Sequence, residues 1–256
     1  MITTVKEWLK ISYNRIFLCV LCLLILMNVL ATLSESGLFL QLTKPLFIPV
    51  FIMYYFIKNR FFSFVFVLFL LFSFMGDFSS VFSSNSSIVK FSSFIYFISY
   101  LMLIFYALSK FKRIRIDKVI ALYLIIVVSI NSYFIYELFS ILKLQITDPI
   151  EVNLFAAKSV SLIVLTFLSF VVYLNSETKQ SIVYLLVALC FVFSDVLHYI
   201  SNYYIYNWSF VLLDRVLHIV GLFFLFNYII GENRLRKRQI VEQRIATESS
   251  LALTRQ

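Results

Sequence analysis

Residues 16–33 read IFLCVLCLLILMNVLATL, an unbroken apolar stretch that follows the basic residues Lys6, Lys10 and Arg15. A helix needs about 20 apolar residues to cross about 30 Å of hydrocarbon, and this stretch approaches that length. Basic residues before an apolar run also open a secretory signal peptide, but the apolar core of such a peptide is usually about 7 to 15 residues long. We therefore expect the stretch to be a membrane span that the protein retains.

The rest of the chain repeats this pattern. Hydrophobic residues make up 62% of the 256 positions and charged residues 14%, which is too apolar a composition for a soluble domain of this size. Open sheets cannot satisfy their backbone polar groups in lipid. The predicted fold is therefore an all-α polytopic bundle of about eight transmembrane helices. Breaks at charges and turn-forming residues delimit the candidate spans as residues 16–33, 46–57, 61–82, 88–109, 119–141, 152–174, 180–200 and 209–230.

The distribution of positive charge predicts the orientation of these spans. Lys and Arg are retained on the cytoplasmic side of short loops, and alternate loops together with both chain ends carry 17 of the 22 basic residues. Both termini are thus predicted to be cytoplasmic, in a bacterial-type inner membrane. Because the basic residues fall at helix ends, the net charge of +9 does not indicate nucleic-acid binding. Residues 1–230 are predicted to form the membrane domain, and residues 231–256 a basic cytoplasmic tail with a short amphipathic helix that favours anionic lipid.

Ionisable side chains inside the predicted spans are the candidate functional residues. A charge in the bilayer costs several kcal/mol unless it is paired or hydrated, so such residues are functional candidates by default. The predicted orientation places them at similar depth in the outer leaflet. The members of this layer are Lys44, Asp77, Glu137, Lys158, Asp195, His198, Asp214, Arg215 and His218.

These residues differ in how strongly they indicate a function. The long side chains of Lys44, Glu137 and Arg215 can extend to the membrane surface, whereas the short carboxylates of Asp77 and Asp195 cannot. The two histidines lie three residues after Asp195 and four after Asp214, spacings that also suit ordinary hydrogen bonds within a helix. No spacing is diagnostic of a metal site. The three cysteines lie in apolar runs, where a thiol behaves as a small hydrophobe. No metal or cofactor is predicted.

Three short motifs support a more specific hypothesis. Thr43-Lys44-Pro45-Leu46 opens the second span, Phe72-Ser73-Phe74-Met75-Gly76-Asp77 ends the third, and Phe193-Ser194-Asp195 lies in the seventh. In order, separation and span number they resemble the YhhN family of eight-span membrane proteins, which includes lysoplasmalogenase.

The resemblance implies hydrolysis of the vinyl ether bond of a lysoplasmalogen, which releases a fatty aldehyde and a glycerophospho-base. Such a reaction begins with proton transfer to carbon and continues through an oxocarbenium ion, so it suits a pair of carboxyl groups. Asp77 and Asp195 are the expected catalytic pair, and Lys44 would bind the substrate phosphate or hold one aspartate ionised. The expected substrate-binding residues also include His198, Asp214 and His218. The expected partners are a lysophospholipid and the bilayer itself.

Two other function classes remain open. A non-catalytic lipid-binding or sensory module that signals through the tail is favoured by the fourth span, which reads Ser99-Tyr100-Leu101-Met102-Leu103 where the family has a histidine followed by a tyrosine. A small transporter is favoured by paired intramembrane charges, although the spans show no repeat and few Gly or Pro breaks. The sequence does not predict the oligomeric state or the headgroup of the substrate.

Overall fold

The fold, taken from a computed structural model, consists of α-helices, and no strand occurs among the residues that the structure describes. These are residues 12–33, 37–58, 63–82, 86–109, 118–176 and 178–253. The predicted basic N-terminus, with Lys6 and Lys10, lies outside them. The helices are α1 (Ser12–Leu33), α2 (Gly37–Thr43), α3 (Phe47–Lys58), α4 (Phe64–Ser80), α5 (Ser86–Leu108), α6 (Lys118–Gln145), α7 (Pro149–Ser176), α8 (Lys179–Tyr203) and α9 (Trp208–Leu253).

Six of these helices are long and apolar enough to cross a membrane, namely α1 and α5 to α9. The prediction of an all-α polytopic membrane bundle is confirmed. The other two predicted spans correspond to shorter apolar helices, α3 with 12 residues and α4 with 17. At 1.5 Å per residue α3 extends roughly 18 Å, which is less than the hydrocarbon thickness. The second predicted span, residues 46–57, coincides with α3, and the turn at residues 44–46 interrupts the chain between α3 and the short helix α2.

The interruption has a local cause. Pro45 has no backbone N–H, and its ring disfavours a helical conformation for the preceding residue. A helix can begin just after a proline, and α3 does so at Phe47. As a result Lys44 stands at the break and not within a regular helix.

The chain beyond the last span is not a separate helix. Helix α9 runs for 46 residues and continues through Gly231 to Leu253. A glycine inside a helix costs only about 1 kcal/mol relative to alanine, so it need not end one. The predicted boundary at residue 231 is thus not marked by a structural break.

Packing defines one main core. Helix α9 packs on α8, α4 on α5, and α7 on both α5 and α8, while α1 closes against α9, α2 and α3. Aromatic rings fill the contact between α1, α3 and α9, where the centroids of Phe17 and Tyr54 lie 4.0 Å apart and Phe226 lies 5.1 Å from Tyr54. Because lipid tails are as apolar as these side chains, close packing and polar contacts are what hold such helices together.

Candidate functional site

The buried ionisable residues gather towards one end of the bundle, here called the site end. At this end α4, α6 and α8 finish and α5, α7 and α9 begin. Asp195 lies eight residues before the end of α8, and Asp214 lies six residues after the start of α9. At 1.5 Å per residue they are roughly 12 Å and 9 Å inside the bundle. The common depth expected from the sequence is therefore present in the fold.

Side chains from α5, α7, α8, α9 and the Lys44 turn line a small, partly open cavity, here called the polar pocket. Its volume is about 20 Å³, which is room for roughly one water molecule. The residues that line it are Lys44, Tyr96, Tyr100, Lys158, Ser194, Asp195, His198, Asp214 and His218. Five of the six predicted site residues share this cavity, and Asp77 is the one that does not line it.

Asp77 lies behind the pocket wall, completely buried on α4. Its Oδ1 accepts a hydrogen bond from the Tyr96 hydroxyl and lies 3.4 Å from the Nζ of Lys44. Its Oδ2 has no hydrogen-bond partner among the described residues. Asp77 therefore contacts two residues of the pocket wall, Lys44 and Tyr96, without lining the pocket itself.

Asp195 instead forms part of the wall. Its Oδ1 lies 2.5 Å from the Nζ of Lys158, and both side chains are about nine-tenths buried. The same Nζ is 5.9 Å from the ring centroid of Tyr96 and 5.1 Å from that of Phe155. Lys44 also lies 5.5 Å from the Tyr96 centroid. The two carboxylates of the expected pair therefore contact different lysines, Asp77 with Lys44 and Asp195 with Lys158. Both lysines lie near the ring of Tyr96.

Asp214 is the second carboxylate that lines the pocket. The Ser194 hydroxyl donates to its Oδ1 at 2.5 Å, and the Nδ1 of His198 lies 3.3 Å from its Oδ2. The other ring nitrogen of His198 is 2.9 Å from the side-chain nitrogen of Asn202. Because Ser194 and His198 both contact the carboxylate, the order differs from a Ser-His-Asp triad, in which the histidine contacts the serine. The His198 side chain is 43% exposed, so it connects Asp214 with the exterior.

His218 supplies an unused polar atom. Its side chain is buried, its ring packs 5.5 Å from the ring of Phe191, and its Nε2 has no hydrogen-bond partner among the described residues. A buried polar atom without a partner is unfavourable. This nitrogen is therefore available to a ligand in the pocket.

Arg215 and Glu137, the other members of the predicted layer, lie outside the pocket. Arg215 is buried, and its guanidinium donates to the Oδ1 of Asn28 at 2.7 Å and to the Oγ1 of Thr43 at 3.1 Å. It joins α9 to α1 and α2, and so holds the end of α2 directly before Lys44. Glu137 is exposed on α6, one turn from Tyr133.

An apolar groove between α6, α7 and α8 adjoins the pocket. Its volume is about 70 Å³, and it is partly open to the surface. The residues that line it are Asn131, Phe134, Ile135, Leu138, Phe155, Ser159, Leu162, Ile163, Val192, Asp195, Val196 and Tyr199. Among the described lining residues, Asp195 is the one common to this groove and the polar pocket.

Tyr96 is the residue that the sequence analysis missed. It lies in α5, roughly 15 Å from the start of the helix at 1.5 Å per residue, at nearly the depth of Lys158 in α7. The signal for Tyr96 in the sequence is a polar hydroxyl group at the depth of the predicted charges. Because this group carries no charge, the pattern of charged residues does not include it.

Replacement of Gly76 by alanine is expected to destabilise the fold by about 1–3 kcal/mol, because the added methyl overpacks the core. A Cβ at this position would lie 3.0–3.1 Å from the ring of Tyr96, the side chain that binds Asp77. The free energy of unfolding in mixed micelles measures the effect.

Gly231→Ala is the matched control. A Cβ there would meet the side-chain amide of Gln180, the flexible end of a long side chain. Since Gln180 can turn away, the gain in helix propensity, up to about 1 kcal/mol, should leave this variant at least as stable as the parent. Equal losses in the two variants would contradict the prediction that a methyl group at Gly76 overpacks the core against Tyr96.

Comparison with known proteins identifies no family for this chain. No family model, no curated protein and no solved structure matches it. The resemblance to the YhhN family therefore rests on the three short motifs alone.

Proposed function

We propose that this protein is a membrane-embedded hydrolase that cleaves the vinyl ether bond of a single-chain lysophospholipid. The observation that carries the proposal is the position of Asp195, whose side chain belongs to the walls of both the apolar groove and the polar pocket. A vinyl ether joins the apolar chain of its lipid to the polar headgroup. A chain lying in the groove would bring this bond to the boundary at Asp195.

The surrounding side chains suit such a substrate. The groove is partly open, so an alkyl chain can enter sideways from the hydrocarbon without leaving the membrane. Lys44 is the more exposed of the two lysines, with 18% of its side chain accessible against 9% for Lys158. We place the substrate phosphate beside Lys44, since charge-assisted hydrogen bonds to phosphate are strong. The pocket is too small for a phosphate and has the size of one water molecule.

The proposed chemistry has three steps. Asp195 transfers a proton to the vinyl carbon remote from the ether oxygen, which leaves an oxocarbenium ion. A water in the polar pocket adds to the cationic carbon and loses a proton to Asp214, as in general base catalysis. The hemiacetal then breaks its bond to the glycerol oxygen, which takes up a proton and leaves as an alcohol, while the chain leaves as an aldehyde. Overall, one water is consumed for each bond cleaved.

The pairings of the two carboxylates suit these roles. Asp195 is paired with Lys158, whose ammonium group can pass a proton to the carboxylate, and Asp195 then delivers that proton to the vinyl carbon. Asp214 is held by Ser194 and by His198. Since His198 is partly exposed, it can pass the proton on to the exterior.

The test is incubation of the purified protein in nanodiscs with lysoplasmalogen and, separately, with the alkyl ether analogue of the same chain and headgroup. We expect aldehyde from the vinyl ether alone, because the saturated ether has no double bond to accept the proton. Absence of aldehyde, or equal consumption of the two lipids, would reject the proposal.

A second candidate, a lipid sensor, is favoured by the continuity of α9. The helix that contributes Asp214 and His218 to the pocket continues without a break to Leu253, so a shift of α9 on ligand binding would move the tail as well. This candidate predicts saturable binding of both lipids in the same incubation, with no aldehyde from either.

A further inference from the structure

Helix α6 carries polar side chains in a single line along its length, here called the α6 stripe. They recur at spacings of three and four residues, which places them on one face of a helix. The members of the stripe are Ser129, Ser132, Tyr133, Tyr136, Glu137 and Ser140. The first five are exposed and Ser140 is half-buried. The stripe is therefore a polar surface on an otherwise apolar span.

The stripe faces away from the rest of the bundle. Only 6% of the apolar span of α6 is buried, against 33% to 44% for the other long spans. Helix α6 packs on α7, and Asn131, Ile135 and Leu138 from its other face line the apolar groove. The exposed face is thus left without a partner among the described residues.

Exposure of this face to lipid is unfavourable. Glu137 lies eight residues before the end of α6, roughly 12 Å inside the span. A carboxyl group at that depth is costly and usually faces protein or water. Tyr133 lies one turn away on the same helix and is exposed as well. Lipid tails supply no further hydrogen-bond donors, so the stripe suits a neighbouring protein better than it suits lipid.

We propose that the α6 stripe is the interface through which two copies of this chain associate in the membrane. Two copies inserted in the same direction are related by a two-fold axis along the membrane normal, so their α6 helices lie parallel. The stripe contains hydroxyl donors and a carboxylate acceptor, and is therefore complementary to itself. Tyr136 of one copy is placed to donate to Glu137 of the other, and hydrogen bonds of this kind hold transmembrane helices together. The proposal does not depend on the proposed hydrolase function.

Cysteine cross-linking in native membranes tests the geometry. In a background with Cys19, Cys22 and Cys190 replaced by serine, Ser129→Cys is expected to form a disulfide-linked dimer, because Ser129 begins the stripe and lies near its midline around the helix axis. Tyr123→Cys is the control, since Tyr123 is 50% exposed on the same helix but about a third of a turn away from Ser129 around the helix axis. A disulfide requires Cα atoms within about 7 Å. Equal cross-linking at both positions, or none at Ser129→Cys, would overturn the proposal.

Fluorescence energy transfer between labelled copies in liposomes, at varied protein-to-lipid ratios, measures the affinity of association. The triple variant Tyr133→Phe, Tyr136→Phe, Glu137→Leu removes the polar atoms of the stripe at exposed positions, and should weaken association by about tenfold or more. Tyr123→Phe makes the same chemical change off the stripe and should associate as the parent does. A parent protein that stays monomeric at every ratio, or a triple variant that associates as tightly as the parent, would refute the interface.

Discussion

Replacement of Asp195 by asparagine is expected to lower the rate of aldehyde release by about 10² to 10⁴-fold, the usual contribution of a general acid. The amide keeps the shape of the side chain but cannot deliver a proton to the vinyl carbon. Aldehyde formed from lysoplasmalogen by the purified variant measures the loss. Retention of more than a tenth of the parent rate would reject Asp195 as the proton donor.

Asp148→Asn is the matched control for this substitution. Asp148 lies at the same end of the bundle but outside the pocket, in the loop between α6 and α7, and is paired with Lys90. The hydrogen bond from Lys90 lowers the pKa of Asp148, so the control also removes a paired, ionised carboxylate. Asp148→Asn is expected to release aldehyde at the rate of the parent protein. A loss comparable to that of Asp195→Asn would show that the effect is not specific to the pocket.

Asp77→Asn separates positioning from proton transfer. Asp77 contacts Lys44 and Tyr96 and does not line the pocket. If Lys44 binds the phosphate, the main effect of Asp77→Asn should be a higher KM, with kcat less reduced than in Asp195→Asn. A strongly reduced kcat with an unchanged KM would instead support the catalytic role that was expected for Asp77 from the sequence.

Replacement of Lys158 by methionine is expected to destabilise the protein by about 3–5 kcal/mol, the usual cost of breaking a buried ion pair from one side. Methionine fills a similar volume, but it leaves the carboxylate of Asp195 uncompensated. The double variant Lys158→Met, Asp195→Asn should recover much of this loss, because neither side chain is then charged. Unfolding free energies in mixed micelles measure both effects.

Lys143→Met is the control for the ion-pair experiment. Lys143 is exposed near the end of α6, with its Nζ 4.5 Å from the centroid of Phe139. Its loss should cost much less than the loss of Lys158. If the double variant were as unstable as Lys158→Met alone, the loss would arise from packing and not from an unpaired charge.

The depth of the site was predictable from the amino-acid order. Apolar stretches of span length dictate helices, because a helix satisfies its own backbone hydrogen bonds in lipid. Consecutive helices cross the membrane in opposite directions. A residue near the end of one span therefore lies at the same depth as a residue near the start of the next. For this reason Asp195 in α8, Asp214 in α9 and Lys158 in α7 were expected at a common depth. The structure gives them that depth.

The partners of these side chains were not predictable in the same way. Length and composition do not specify how far each helix is rotated about its axis or which helices are neighbours. A rotation of α4 and α5 puts Asp77 behind Tyr96, and a rotation of α6 leaves Glu137 on the outside. The second predicted span, residues 46–57, coincides with α3, which begins just after Pro45. Helix α9 continues past Gly231 because one glycine costs too little to end a helix.

Amino-acid order alone therefore established an all-α membrane bundle with a buried layer of charges, because hydropathy and helix length act locally along the chain. The packed structure alone joined Asp195 to both the groove and the pocket, and paired it with Lys158. Those contacts depend on the lateral order and rotation of the helices. Both are set by close packing between segments far apart in the sequence.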